Sequence, residues 1–252
     1  MKQLRNAKRR TRDLISRVGN KLAPIRWKEF NELSYWKSRK AAEGVLSNTH
    51  YEHFYTAHFG LNKSYYDNRV VVDLGCGPRG SLEWATTASR RIGVDPLANE
   101  YLRLGANRHQ MEYFDSSSEN IPLKDAECDV VCSFNSLDHV VNIDQTLREI
   151  KRITRAGGLF LLLVEVNHPP TDCEPHQLNP QLLLESLRPE FICERLEVYE
   201  PVCNGMYESI RADEKRPEPE ETKEIGYLSA RFLRVSQSAA PDGDAAESHS
   251  HR

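Results

Sequence analysis

The stretch Val70-Val71-Val72-Asp73-Leu74-Gly75-Cys76-Gly77-Pro78-Arg79-Gly80 limits what this chain can fold into more than any other. A short β-branched run reads as a buried strand, and the glycines that follow at once let the backbone turn sharply and approach a ligand. From Arg69 onward such runs alternate with helical stretches. Arg91–Asp95 reads as a second strand, Leu97–Leu104 as a helix, Met111–Phe114 as a weak third strand and Asp129–Phe134 as a fourth. A helix is expected around 81–90. Another is expected from about Ile143 to Thr154, ending at a Gly157-Gly158 stop, before the wholly apolar strand Leu159–Val164. Such alternation predicts a doubly wound parallel sheet. Beyond Pro169-Pro170 and Pro175 come a helix over Leu178–Leu187 and strands over Phe191–Tyr199 and Tyr227–Val235, with Arg211–Lys223 between them as an exposed loop without fixed structure.

Charge divides the chain unevenly. Residues 1–28 carry ten basic side chains against Asp13 alone, a balance of +9, which leaves −12 on the other 224 residues. The expected organisation is a basic arm over 1–28, an aromatic-rich helical cap over 29–66, a main domain over 67–235 and a small, polar, disordered tail over 236–252. The arm is a candidate for peripheral contact with an anionic membrane or a phosphate-bearing partner, the simpler reading being a solvated extension. Tyr51, Phe54, Tyr55, His58 and Phe59 share one helix face and are expected to pack against the domain. Of the aromatics over 29–66, which include Trp36, one or two are candidates to roof a small-molecule pocket. No apolar run approaches 18 residues, which argues against a spanning helix. The opening residues lack the apolar stretch of a secretory signal, and the six scattered cysteines include no CxxC pair; cytoplasmic residence is the expectation. An acidic body without a broad basic face makes nucleic acid an unattractive partner.

In an open parallel sheet, ligands bind beyond the carboxyl ends of the strands. Asp95 ends the second strand 20 residues after Gly75 and can accept the ribose hydroxyls of an adenosine. Gly75-x-Gly77-x-x-Gly80 also satisfies the dinucleotide fingerprint. Asp73, just ahead of the first glycine, would repel a diphosphate, whereas it suits a ligand carrying an ammonium.

With these residues in view, the chain resembles the class I S-adenosylmethionine-dependent methyltransferases, of the small-molecule, type 11-like kind, over roughly residues 50–200. The resemblance rests on Asp73-Leu74-Gly75-Cys76-Gly77-Pro78, on Gly93-Val94-Asp95-Pro96, and on Glu119-Asn120-Ile121-Pro122-Leu123 leading into Asp129-Val130-Val131. Ser136-Leu137-Asp138-His139-Val140 and Arg152-Ile153 with Ala156-Gly157-Gly158 add to it. It implies a Rossmann-like α/β fold with N-terminal helices and seven strands, mostly parallel and closed by an antiparallel hairpin. It implies S-adenosyl-L-methionine as cofactor. By position, Gly75, Cys76 and Gly77 would line its amino-acid end, Asp73 would orient the ammonium, and Asp95 with Pro96 would hold the ribose. Ser117, Ser118 and Glu119 would flank adenine, and Asn135 would lie near the transferred methyl. Two departures stand out: Arg79 replaces the usual third glycine, with Gly80 one place later, and Ser117 stands where the family has an acidic residue. A small-molecule, saccharide or lipid-linked acceptor methylated at oxygen is expected. A non-catalytic protein binding the cofactor or S-adenosylhomocysteine is the alternative.

A hydroxyl acceptor needs its proton removed by a group within hydrogen-bond reach. The candidates are His139, after the fourth strand, and His176, in the polar loop leaving the fifth. His168, Glu174 and His176 could together ligate a divalent ion, but a proline-rigid lid is the simpler expectation and no resident metal is assigned.

Overall fold

The computed structural model describes residues 24–48 and 51–236. A long helix, α1 (Pro24–Glu43), precedes the sheet, followed by the single turn α2 (Glu52–Tyr55) and two short 3-10 turns. The strands are β1 (Val70–Leu74), β2 (Arg90–Asp95), β3 (Glu112–Asp115), β4 (Cys128–Phe134), β5 (Thr154–Val166), β6 (Phe191–Tyr199) and β7 (Gly226–Arg234). Helices α3 (Ala98–Arg103), α4 (Ile143–Ile153), α5 (Pro180–Leu187) and α6 (Met206–Ala212) connect them. The sheet order is β3-β2-β1-β4-β5-β7-β6. β1 to β5 pair in parallel, and β7 runs antiparallel between β5 and β6. This is the seven-stranded Rossmann-like sheet, with the strand order reversing between β1 and β4.

Alternation along the strands divides the core. Val72, Leu74, Val131, Phe160 and Leu162 point to one face, packed beneath α4 and α5 with Leu147, Ile150, Leu183 and Leu187. Val71, Val130, Cys132, Leu161 and Leu163 point to the other. Phe54, Tyr55, Phe59 and Tyr66 cover that second face, with Met206 and Ile210 of α6. The aromatic segment is therefore packing, as expected, although Thr56 breaks its helix after one turn.

Three expectations fail. No helix forms around 81–90: the segment from Gly80 to Ser89 is a series of turns. Trp84 sits edge-on to Tyr66 and close to Tyr55, so the aromatic segment already occupies the face such a helix would cover. Amide and carbonyl groups at Thr87 and Ser89 bond back to Asn68 and Arg69. The helix expected from about Ile143 to Thr154 forms over Ile143–Ile153, but Gly157-Gly158 is not its stop: the Thr154 hydroxyl donates to the Ile150 carbonyl at 2.6 Å and β5 begins there. The glycines serve a bulge at the start of β5, with Gly157 at φ +73° and the β4 register slipping between Cys128 and Val130. Finally, Arg211–Lys223 is tied down. Its first residues complete α6, and the Arg216 guanidinium holds Glu200 through two bonds of 3.0 and 2.8 Å while donating to the Glu224 and Ile225 carbonyls. The basic residues 1–23 and the tail 237–252 lie outside the described residues.

Candidate functional site

The carboxyl ends of β1, β2, β4 and β5 form one edge, crossed by α1. At β1, Gly75 takes φ +69° and donates its amide to the Val94 carbonyl at 2.8 Å. A Cβ there would overlap Ser136, whose hydroxyl donates to the Leu74 carbonyl at 2.7 Å. Gly77, at φ +58°, donates to Asp95 Oδ2 at 3.2 Å, and the Leu97 amide donates to Oδ1 at 2.9 Å. Cys76 is buried under this loop against Gly93. Pro96 is exposed at the turn.

Two carboxylates are enclosed here, with no cationic partner of their own among the described residues. Asp73 is 3% exposed and Asp95 4%. Tyr55 donates its hydroxyl to Asp73 Oδ2 at 3.0 Å. Burial pushes the Asp73 carboxyl up to about 7, a rise that the Ser81 and Tyr55 hydroxyls only partly oppose. Burial also pushes Asp95 up, the nearby Glu32 carboxylate adding to the rise and the Leu97 and Gly77 amides opposing it. Each side chain can still accept further hydrogen bonds or a positive charge.

Helix α1 supplies groups that sequence reasoning did not single out. Trp36 stands over Gly77 and packs edge-on to Tyr101 at 6.5 Å. The Tyr101 hydroxyl donates to Glu32 at 2.8 Å. Arg79, in place of the usual glycine, forks onto Glu43 with two bonds of 2.8 Å and lies over the Trp36 ring. At the other end, the Lys28 ammonium donates to the His139 carbonyl. Helix α1, which begins at Pro24 within the stretch expected as the basic arm, thus spans both halves of the edge. An aromatic residue at helical spacing from two acids was the available signal, but nothing local distinguishes it from ordinary packing.

Asn135 follows β4 at φ +54°, its amide bonded to the Leu163 carbonyl and its side chain exposed at the edge. Ser117 and Ser118 are half-buried beyond β3. The Glu119 carboxylate accepts from the Val141 and Asn142 amides at 2.7 and 3.0 Å, which ties this segment to the start of α4.

Beyond β4 and β5 lies a second polar group. Asp138 is 1% exposed, and burial pushes its carboxyl up. His139 Nε2 stands 3.9 Å from Asp138 Oδ1 and 3.7 Å from Glu174 Oε1. His168 Nε2 stands 3.5 Å from Asp138 Oδ2. Ligand atoms of Asp138, His139 and Glu174 lie within 4.8 Å of one another. The sequence grouping of His168, Glu174 and His176 is therefore rearranged. His176 turns its Nε2 to the Val140 carbonyl at 2.9 Å, while Asp138 and His139 join from after β4.

Residues 72–162 match the family model of a methyltransferase domain. Over 95 residues the chain is 32% identical to a ubiquinone/menaquinone biosynthesis C-methyltransferase of Rubrivivax gelatinosus, a match covering 37% of this chain and 38% of that one. It is 26% identical over 120 residues to a sterol 4-C-methyltransferase of Caenorhabditis elegans, covering 44% and 36%. In fold it is similar to an S-adenosylmethionine-dependent methyltransferase from Mesorhizobium loti, with a TM-score of 0.52, 20% identity, and coverage of 70% of this chain and all of that one. The matched region spans little more than a third of these two curated relatives' length.

Proposed function

We propose that this chain, which carries a class I S-adenosylmethionine-dependent methyltransferase domain, transfers a methyl group to an oxygen of a small-molecule, saccharide or lipid-linked acceptor. The observation that carries the reading is the pair Asp73 and Asp95, buried at adjacent strand ends with only neutral donors on them among the described residues. An ammonium beside Asp73 and two ribose hydroxyls on Asp95 supply the missing positive charge and donors. A dinucleotide fits poorly. Its diphosphate would face Asp73, Asp95 and Glu32, and the turns at 81–89 provide no helix N-terminus to receive it.

When bound, the cofactor supplies a methyl carbon already activated by its sulfonium. The protein is left with alignment and removal of the acceptor's proton. Gly75 and Gly77 let the backbone approach the amino-acid end, and Trp36 with α1 excludes water from above. Ser117 and Ser118 offer main-chain groups toward adenine. Asn135 stands at the transfer edge. His139, 30% exposed in its side chain, faces the acceptor side and, with Asp138 and Glu174, receives the proton. His176 holds the loop over this cluster through Val140.

Among the described residues no helix is long and apolar enough to cross a membrane. Peripheral contact with anionic lipid through residues 1–28 belongs to the same proposal. Vesicle co-sedimentation should weaken when residues 1–23 are deleted, a cut that spares α1.

Calorimetry on ligand-stripped protein tests the core of the reading. Saturable uptake of S-adenosylhomocysteine, abolished or strongly weakened in Asp73→Asn, is expected. No uptake by the unmodified chain would overturn it. Release of S-adenosylhomocysteine on incubation with a panel of hydroxyl acceptors then separates an enzyme from a binding protein.

A further inference from the structure

The cluster beyond β4 and β5 encloses buried polar atoms whose hydrogen-bonding capacity is unfilled among the described residues. His168 is 5% exposed, and its Nδ1 lies 3.0 Å from the Pro169 carbonyl. A carbonyl can only accept, so Nδ1 donates to it. Nε2 faces Asp138 Oδ2 at 3.5 Å. Both His168 Nε2 and Asp138 Oδ1 are buried and without a hydrogen-bond partner. Unsatisfied groups of this kind are costly and ask for a missing partner.

The remaining groups converge on the same place. Glu174 is held by a turn in which its amide donates to the Thr171 hydroxyl at 2.9 Å and that hydroxyl bonds Oε2 at 3.0 Å. This leaves Oε1 directed at His139 Nε2, 3.7 Å away. Glu165, half-buried at the end of β5, adds a third carboxylate, with its pKa raised chiefly by burial. Lys28 gives its ammonium to the His139 carbonyl.

The geometry points to a divalent cation site formed by Asp138, His139 and Glu174, with His168 behind Asp138 as a positioning residue and the fourth coordination position open. Donor atoms around a tetrahedral ion with bonds of about 2.1 Å stand about 3.4 Å apart. The observed 3.7 and 3.9 Å need only small side-chain adjustments to close on an ion. A ligating carboxylate held from behind by a further polar side chain is a usual arrangement at a metal site. One imidazole and two carboxylates suit a borderline ion such as Zn2+, Mn2+ or Fe2+ better than Mg2+, which favours all-oxygen ligation and keeps its water. The inference deepens the proposed function and rests on its placement of the acceptor. With the ion bound, His139 Nε2 is a ligand and no longer takes the proton; an acceptor oxygen at the open position would instead lose its proton to solvent more readily and be held for transfer.

The test uses full-length protein treated with a chelator and dialysed. Zn2+, Mn2+ and Mg2+ are each titrated alone by calorimetry. Co2+ is followed by visible absorption, whose bands report nitrogen and oxygen donors. One Zn2+ or Mn2+ per chain is expected, with Mg2+ far weaker. Glu174→Gln and Asp138→Asn should each lower affinity at least about tenfold. Because Asp138 is buried, Glu174→Gln, on a side chain 35% exposed, guards against reading misfolding as lost binding. Absence of saturable one-to-one uptake, or uptake undiminished in the double variant, overturns the site and leaves a shared proton between His168 and Asp138. S-adenosylhomocysteine binding is measured on the same samples. Cofactor uptake without metal uptake defeats this inference alone, and the converse defeats the cofactor reading alone.

Discussion

At the ends of β1 and β2, Asp73, Gly75, Gly77 and Asp95 fall within 23 consecutive residues. At the ends of β4 and β5, Asp138, His139, His168 and Glu174 are drawn from two separate segments. In the first half, backbone amides of Gly77 and Leu97 reach the Asp95 carboxylate, so main-chain geometry builds much of the site. In the second, side chain meets side chain across a loop whose course is set by Thr171, by the Asn167 bonds to the Thr222 and Glu224 carbonyls, and by His176 on Val140. A site made from backbone tolerates few residue types and leaves a motif. A site made from side chains leaves only scattered histidines and acids.

The sharpest way to break this contrast is Asp95→Ala. The amides of Gly77 and Leu97 lose their acceptor and, under the proposed function, the ribose loses its anchor. Affinity for S-adenosylhomocysteine should fall by about 3 kcal/mol, near a hundredfold, while Glu174→Gln leaves it unchanged by calorimetry. Comparable losses for both variants would mean that the two halves are one site.

Gly75→Ala should act on the fold itself. Its Cβ would overlap Ser136 and its φ of +69° disfavours any side chain. A loss of about 2–3 kcal/mol is expected in denaturant unfolding. The double change with Ser136→Gly should recover the steric part and retain the conformational part.

A milder contrast lies in pH. Asp73 sits near 7 in the fold against an ordinary 3.8. Between about pH 4 and 7 the unfolded chain has released this proton and the native chain still holds it. Stability of the ligand-free protein therefore declines as pH rises through that window. Binding of a cationic ammonium needs the ionised form, so S-adenosylhomocysteine affinity should rise from pH 6 toward pH 8, by at most about tenfold per unit. The slope should flatten in Asp73→Asn, as calorimetry across that range would show.

The smallest expected effect is His176→Ala. One bond to the Val140 carbonyl is lost, worth about 1 kcal/mol. Turnover on a responsive acceptor should drop about fivefold with cofactor affinity intact, and limited proteolysis should cut the 169–177 loop faster. Equal turnover would remove the loop from the chemistry.

The strand pattern and the first half of the candidate site were legible because both are written locally. Val70–Val72 and Leu159–Val164 are apolar on both faces as covered parallel strands must be, and Asp73, Gly75, Gly77 and Asp95 occupy the ends of consecutive strands. The helix expected at 81–90 was illegible for the opposite reason. Its local spacing allows a helix, but Tyr55, Tyr66 and Trp84 fill the space, and those contacts join residues up to 29 positions apart.

The sequence by itself determined the doubly wound sheet, the bend after β1 and the acids beside it, because strand alternation and glycine turns depend on near neighbours along the chain. Only the tertiary structure decided that α1 lies across the edge with Trp36 over Gly77, that Arg79 grips Glu43, and that His168 confronts Asp138. Those juxtapositions depend on how distant segments pack once apolar surface is buried, and no local spacing encodes them.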